Sequence, residues 1–536
     1  MSAQSAAREK IVYNHSKNEI ILFWGCFFAL IATALTFIIR SQVIGDWGDE
    51  FGLTETEKGE IMGVGLWPFA VSIVLFSLVI DKIGYGKAMV FAFTCHAASA
   101  IIIIAAKDYY WLYWGTFIVA LGNGTVEAVI NPVVATLFPR EKTKWLNILH
   151  AGWPGGLVIG GLLAIFMGPE TDWRIKVSLI FVPMVVYALL LVGRHFPVHE
   201  RVLAGVSFRD MLREAGFIGA FIVFALMVRE LGVVFTPENP SPETIKMSNW
   251  IQLIVGLVIF IPYAIYVGSP GRPMFIFLVL IMIPLATTEL GTDTWITELM
   301  EPVMERLGRD AGWVLVYTSF IMMVLRFLAG AIVHRISPLG LLATSAAVAS
   351  IGLFSLSVAE MGIAIFAAAT IYGFGKTFFW PTMLGVVAEQ FPKGGALTLN
   401  LIAGVGMMGV GIVGSVFLGI SQDKAIDRDI LKADAALHDK VMGESKFSVF
   451  GPYRAVEKDK LASISEEESS VIEVIRERSK KGALATVAIF PVIMLICYLI
   501  LIAYFRSKGG YEAQVLTGHA AEDEKFTGGV EGPADR

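Results

Sequence analysis

Three polar residues interrupt an apolar run at a constant spacing. In ALGNGTVEAVINPVVATLF (Ala120 to Phe138), Asn123, Glu127 and Asn131 recur every four residues. On a helix each such step turns only about 40°, so the three share one narrow stripe. An acid flanked by two amides can exchange a proton and hydrogen bond to a polar solute, which is the chemistry of binding and release. Similar groups recur downstream. Asn147 and His150 lie three apart, near one helix face. Glu289, Asp293 and Trp295 stand in ELGTDTW, and Lys376 and Trp380 in YGFGKTFFWPT. Covalent chemistry lacks its parts. The eight histidines are scattered, with no nucleophile and base or His/Asp ligand cluster at one place, and no GxxxxGK[ST] phosphate loop is present. The three cysteines lie in apolar runs without metal or redox spacing. The sequence therefore argues against an enzyme, a metal site or an ATP-driven pump, and no cofactor is expected.

The elements that carry these residues follow from composition. Of 536 residues, 55% are hydrophobic and 17% charged, and about fourteen apolar runs of about 20 residues extend from 20–39 to 482–505. Without water, a spanning backbone must satisfy its own polar groups, and the alternating strands of a barrel are absent, so the runs read as helices. The expected fold class is an all-α polytopic membrane protein in the cell membrane, with the lipid bilayer as its surroundings, no nucleic-acid partner, and a single chain as the working unit. DKIGYGK, PREKTK, GRHFPVHER and HRIS form basic loops on one side, and GDWGDEFGLTETE, GPETD and TPENPSPET fall on the other. By the positive-inside rule both termini are expected in the cytoplasm, with the first span retained.

A repeat organises the chain. FPREKTKWLN (Phe138 to Asn147) and FPKGGALTLN (Phe391 to Asn400) share Phe-Pro, a basic residue and Leu-Asn at an offset of 253, and the loops at Asp81 and His334 have the same offset. Two six-helix halves are expected, with two spans inserted between them. The expected divisions are a cytoplasmic segment 1–18, a first half 19–196, a linker with the inserted pair 197–272, a second half 273–506 containing an extracytoplasmic loop 421–481, and a disordered cytoplasmic tail 507–536. The offset places Lys376 opposite Asn123, Trp380 opposite Glu127, and Asp293 opposite Arg40.

These residues also carry a family resemblance. SLVIDKIGYGK (Ser77 to Lys87) resembles the loop motif between the second and third helices of the major facilitator superfamily, with Ser77 where glycine is usual. GNGTVEAVINP with LNILHAGWPGG is similar to the fourth and fifth helices of its fucose and glucose/galactose proton symporter branch, and ELGTDTW to the Glu-x5-Trp of the seventh. The sequence departs from that branch at Arg40, near where fucose permeases carry an acid, and at Lys376, where a neutral residue is usual. The resemblance implies secondary active transport of a small polar solute, a sugar first of all, by proton symport. It makes Glu127 the proton carrier, and Asn123, Asn131, Asn147, His150, Glu289, Trp295, Lys376 and Trp380 the solute contacts. Asp81 and Lys82 would form a gating loop.

Physical reasoning adds two pairings and two rivals. Ionisable groups at membrane depth need partners, so Lys376 is expected beside Glu127. Arg40 and Asp293, near the outer ends of equivalent helices, are expected to meet when that side closes. Arg326 is expected to pin a helix end. The rivals are a transporter of sugar acids or other organic anions, selected by Lys376, Arg40 and His150, and a non-transporting sensor that uses the loop after Ser421.

Overall fold

The computed structural model describes residues 16–514 and 516, except 54, 169, 236–240, 294–295, 297–299, 301–303, 305, 307, 309–311, 334, 361, 449–450 and 462. Among them, thirteen helices are long and apolar enough to cross a bilayer, and a shorter apolar one brings the set to the expected fourteen. In chain order they are α1 (Lys17–Phe51), α2 (Glu57–Ile83), α3 (Tyr85–Ile104), α4 (Tyr109–Leu137), α5 (Lys142–Met167), α6 (Trp173–Leu191), α7 (Phe208–Gly232) and α8 (Glu243–Val267). There follow α9 (Pro273–Gly291), the shorter α10 (Gly312–Phe327), α11 (Pro338–Val358), α12 (Gly362–Gln390), α13 (Pro392–Ala433) and α14 (Glu466–Ser507). The ends are set locally. Ser16 and Glu19 form a reciprocal capping box that starts α1, and Gly52 at φ 64° stops it.

The helices form two bundles of six and an added pair. In the first bundle α1 packs on α5 and α6, and α4 on α2 and α3; in the second α11 packs on α12 and α14, and α9 on α13. The bundles meet where α2 lies along α13, and where α5 lies along α10 and α12. The inserted helix α7 rests on α13, and α8 rests on α7. Only 6% of the apolar window of α8 is buried, so its composition is matched to the surrounding bilayer and not to a protein core.

The repeat seen in the sequence is a repeat in space. Asn147 Nδ2 on α5 reaches Thr382 Oγ1 on α12 at 3.2 Å, and its mate Asn400 Nδ2 on α13 reaches the Ala128 carbonyl on α4 at 3.0 Å. Each of the paired asparagines thus crosses from its own bundle to the other.

The expectation of a disordered tail from 507 needs correction at its start, and the insert before the last span carries structure of its own. The insert 421–481 is largely folded. α13 runs on to Ala433, α14 begins at Glu466, and between them a short helix (Ala435–Val441) precedes an antiparallel hairpin of Lys446–Ser448 with Gly451–Tyr453. Ile430, Leu437, Val441, Met442 and Ile472 form a small apolar core there, which a polar average over the segment conceals. The start of the tail is docked as well: Tyr511 and Leu516 are buried, and the Gln514 N–H donates to the Glu389 carbonyl at 2.8 Å. The remainder of that tail, and residues 1–15, lie outside the described residues.

Gly152, Gly156 and Gly160 face α1, and a Cβ at Gly156 would lie 2.5 Å from Ala34 Cβ and 3.0 Å from the Ile31 carbonyl. The close approach of α5 to α1, which carries the polar stripe's neighbours, therefore requires glycine there. Gly156→Val is expected to destabilise the folded protein by about 1–3 kcal/mol through overpacking. Gly155→Ala, where the nearest atom would be Met323 Sδ at 3.5 Å, should be tolerated. Thermal midpoints of the two purified variants check the contrast.

Candidate functional site

The polar stripe of α4 opens a chain of hydrogen bonds that crosses the junction of the bundles. Glu127 Oε2 accepts from Asn131 Nδ2 at 2.7 Å. Asn131 Oδ1 lies 2.8 Å from His150 Nε2, and because an amide oxygen only accepts, this bond places a proton on Nε2. The His150 carbonyl accepts from Arg326 Nη1 at 2.8 Å. Arg326 Nη2 donates to Glu289 Oε1 at 2.6 Å, and its Nε to the Thr377 carbonyl at 2.7 Å. Glu289 Oε2 accepts the Trp380 backbone N–H at 3.0 Å. Five helices, α4, α5, α10, α9 and α12, are joined by this line, and all of these side chains are buried.

Local backbone irregularities position the charged members. Thr287–Gly291 makes a π-helical turn in α9; such turns widen the helix and re-aim its side chains. α12 breaks at Thr377 and Phe378, which leaves the Thr377 carbonyl available to Arg326 and the Trp380 N–H available to Glu289. A second ion pair, Lys376 with Asp293, lies near the first. Lys376 Nζ is also 3.4 Å from Thr318 Oγ1 and 5.2 Å from the centre of the Tyr372 ring.

The structure rearranges several expected partnerships. Lys376 pairs with Asp293 and not with Glu127, because it lies in the second bundle beside α9, whereas Glu127 turns toward Asn131 in the first. Arg40 and Asp293, expected to meet only when the outer side closes, are apart here: Asp293 is neutralised by Lys376, and Arg40 lines a cavity inside the first bundle. Arg326 does stand in the last turn of α10, and beyond pinning that end it is the buried centre of the network. Asn123 belongs to a side branch, donating to Thr36 Oγ1 at 3.0 Å and lying 2.9 Å from His96 Nε2. The Trp380 ring packs on Gly406 of α13, where a Cβ would stand 2.8 Å from it. Trp295 lies outside the described residues.

Sequence reasoning overlooked His96 and Thr382, read Arg326 only as a helix anchor, and read Asn400 only as the repeat mate of Asn147. His96 and Arg326 did carry a signal, as ionisable residues inside apolar runs; the threonine and Asn400 carried none beyond the repeat.

At the end bearing the basic loops the bundles are tied together. Asp81 pairs with Arg201, and Lys82 Nζ lies 5.5 Å from the Phe208 ring centre. Lys142 Nζ bonds to Glu200 Oε1 at 2.5 Å and to the Ala388 carbonyl at 3.2 Å. Glu389 accepts from Thr143 Oγ1 at 2.5 Å and from the Tyr511 hydroxyl at 2.7 Å, so α5, α12 and the C-terminal segment share one carboxylate.

Two six-helix bundles with paired charges buried along their junction define a multi-pass helical membrane protein with a polar centre. The family model of the Major Facilitator Superfamily matches residues 21–418, and the chain belongs to that family of membrane transporters. Among curated relatives it is 25% identical over 186 residues to a TsgA homolog of Buchnera aphidicola, and 23% identical over 181 residues to the cis,cis-muconate transport protein of Acinetobacter baylyi. Each match covers 34% of this chain, with 48% and 43% of the relative, so the chain spans about half the length of the curated relatives it matches. Its fold is similar to the Escherichia coli fucose:proton symporter FucP (TM-score 0.54, 14% identity, 89% of this chain and 98% of that one). It is also similar to the human organic anion transporter MFSD10 (TM-score 0.55, 11% identity, 90% and 98%).

The tied end contains a pH-sensitive element. His199 caps the short helix Glu200–Leu203 by accepting the Arg201 N–H on Nδ1 at 3.1 Å. Burial, the dominant effect, together with Lys142 and Arg201 outweighs Glu200 and Asp81 and holds the imidazole below its ordinary range. A histidine with a lowered folded-state value binds fewer protons than the unfolded chain. Its contribution to stability is therefore intact above about pH 6.5 and is lost as pH falls from there toward the folded-state value. The thermal midpoint of the wild type should fall between pH 7.5 and 5.5 by more than that of His199→Asn, which keeps a capping acceptor but does not titrate.

Proposed function

We propose that the protein is a secondary active transporter that moves a small polar solute, a sugar first of all, by proton-coupled symport, with Glu127 carrying the proton. The observation that carries this reading is the charge ledger of the junction. Glu289 is neutralised by Arg326 and Asp293 by Lys376, whereas Glu127 makes its bond to the neutral Asn131. A bound proton is the compensation left to it, and an acid that holds a proton in one state and releases it in another is what symport needs. Among the described residues the two ion pairs engage Arg326 and Lys376 at the centre of the junction, which favours a neutral, hydroxyl-rich solute held by amides, the His150 imidazole and Thr382. Asp81 with Arg201, and Lys142 with Glu200, would act as the gate on the basic side, which the positive-inside rule assigns to the cytoplasm together with both termini.

A second reading keeps the mechanism and changes the solute to an organic anion. The muconate transport relative favours it, as does Lys376, which an acidic solute would reach by displacing Asp293.

Glu127→Gln in reconstituted liposomes is expected to abolish proton-driven accumulation while preserving solute exchange, since exchange need not cycle the proton. Accumulation at the wild-type rate would assign coupling elsewhere. A panel that sets hexoses against their uronic acids separates the two solutes. With a sugar substrate, Lys376→Asn should lower protein yield and leave the solute profile unchanged, whereas with an organic anion it should shift preference toward neutral compounds at least tenfold.

A further inference from the structure

The last turn of α12 is shared between the first bundle and the C-terminal segment. A helix end leaves carbonyls without partners. Here Lys142 of α5 takes the Ala388 carbonyl at 3.2 Å, and the Gln514 N–H takes the Glu389 carbonyl at 2.8 Å. Gln390 Nε2 in turn donates to the Glu512 carbonyl at 2.7 Å. The carboxylate of Glu389 is divided in the same way: Oε1 accepts from the Thr143 hydroxyl of the first bundle at 2.5 Å, and Oε2 from the Tyr511 hydroxyl at 2.7 Å.

A turn past the end of α14 delivers Tyr511 to this place. Gly509 and Gly510 have φ 100° and 120°, values open to glycine, and the reversed chain sets the Tyr511 ring 5.1 Å from that of Phe505. Tyr511 is buried, yet residues 511–514 form neither helix nor strand. A groove of about 400 Å³, lined by Met274, Gln390, Tyr504, Lys508 and Glu512, adjoins the segment, so it is fastened by a few bonds and not packed along its length. The repeat marks the acid as an addition. Its offset sets Glu389 opposite Thr136 (389 − 253 = 136), whose hydroxyl turns back to the Pro132 carbonyl of its own helix at 2.7 Å. Of the two equivalent places, the one beside the C-terminal segment carries the carboxylate.

We infer that Tyr511 is a positioning residue for the gate at the basic end: the C-terminal segment holds the Glu389 carboxylate turned toward Thr143 and so favours closure. A glutamate at a helix end otherwise samples several rotamers, and each closure would have to freeze it. With Oε2 bonded to Tyr511, Oε1 is presented to Thr143 already oriented, which lowers that cost. Gly385, one turn before Glu389, admits α5 to this contact, since a Cβ there would stand 2.3 Å from Thr143 Oγ1. The inference rests on the reading of the basic end as a gate, and on nothing about the solute, the proton or Glu127.

The test follows the separation of the bundles in full-length protein without solute. Lys87 at the start of α3 and Lys393 just past α12 are exposed, and Lys393 lies two residues from Gly395, which packs on Arg201, the partner of Asp81. Spin labels on Lys87→Cys and Lys393→Cys, with the half-buried Cys497 replaced by serine, therefore report distance across the basic end. Tyr511→Phe keeps the ring and loses the hydroxyl, and should raise the population at the longer distance about threefold with little change in thermal midpoint. Thr143→Val should act likewise, and Tyr511→Phe added to it should have no further effect, because both act through one carboxylate. Gln390→Ala, which frees the same segment from its bond at Glu512, should shift the population in the same direction and decides the matter if Tyr511→Phe does not fold. A shift in Thr143→Val but not in Tyr511→Phe, or a separate effect of Tyr511→Phe in the Thr143→Val background, would overturn the inference and leave Tyr511 a packing residue. A shift in neither would remove the gate as well, whereas unchanged accumulation in Glu127→Gln would remove the coupling assignment and leave this inference standing.

Discussion

The cost of charge in a low-dielectric interior organises this molecule. Moving an ionised side chain out of water is affordable only where a partner of opposite sign and further hydrogen bonds await it. Two ion pairs meet that demand in the second bundle. Arg326 spends its guanidinium on Glu289, the Thr377 carbonyl and the His150 carbonyl, and Lys376 is held by Asp293 and Thr318. The irregular backbone of α9 and α12 is the local means: a π-helical turn and a helix break supply polar groups that a regular helix would keep for itself. Among the described residues, Glu127 and Arg40 in the first bundle are buried outside this scheme.

The geometry also explains how the two bundles communicate. Arg326 touches the backbone of His150 and the carboxylate of Glu289 at once, so a displacement of α5 relative to α10 changes the environment of both. The paired asparagines at 147 and 400 cross the junction in opposite directions, one donating to the Thr382 hydroxyl and the other to the Ala128 carbonyl. At the basic end, Glu389 joins α5, α12 and the C-terminal segment, so any motion that parts the bundles there must release Thr143 and Tyr511 together.

The site was legible in part. The four-residue spacing in the 120–138 run placed Asn131 under Glu127, as their bond shows, because neighbours on one helix are fixed by helical geometry alone. The repeat placed Asn147 and Asn400 as equivalents. Pairings between helices were another matter. Lys376 was matched to Glu127 across the junction, yet Asp293, two residues past the end of the adjacent α9, is its partner, and an offset in sequence carries no information about rotation of one helix against another. Arg326 was legible as a helix-end residue, which it is, but not as the centre of a network, because its partners, two backbone carbonyls and Glu289, come from three other helices. The docked start of the tail was hidden for a similar reason: Tyr511 is polar by composition and buried only by what it meets.

By itself, then, the sequence determined the elements and their number, since in a bilayer each span must close its own backbone hydrogen bonds and announces itself by about 20 apolar residues. It determined the internal repeat, the inserted pair and the stripe on α4, all of which are properties of one segment or of two aligned ones. Only the tertiary structure decided which charge neutralises which, and that Glu127 keeps a neutral partner. Those outcomes depend on distances and dihedral angles between separate helices, and a few ångströms of approach, permitted by a glycine such as Gly156, change which partner is nearest.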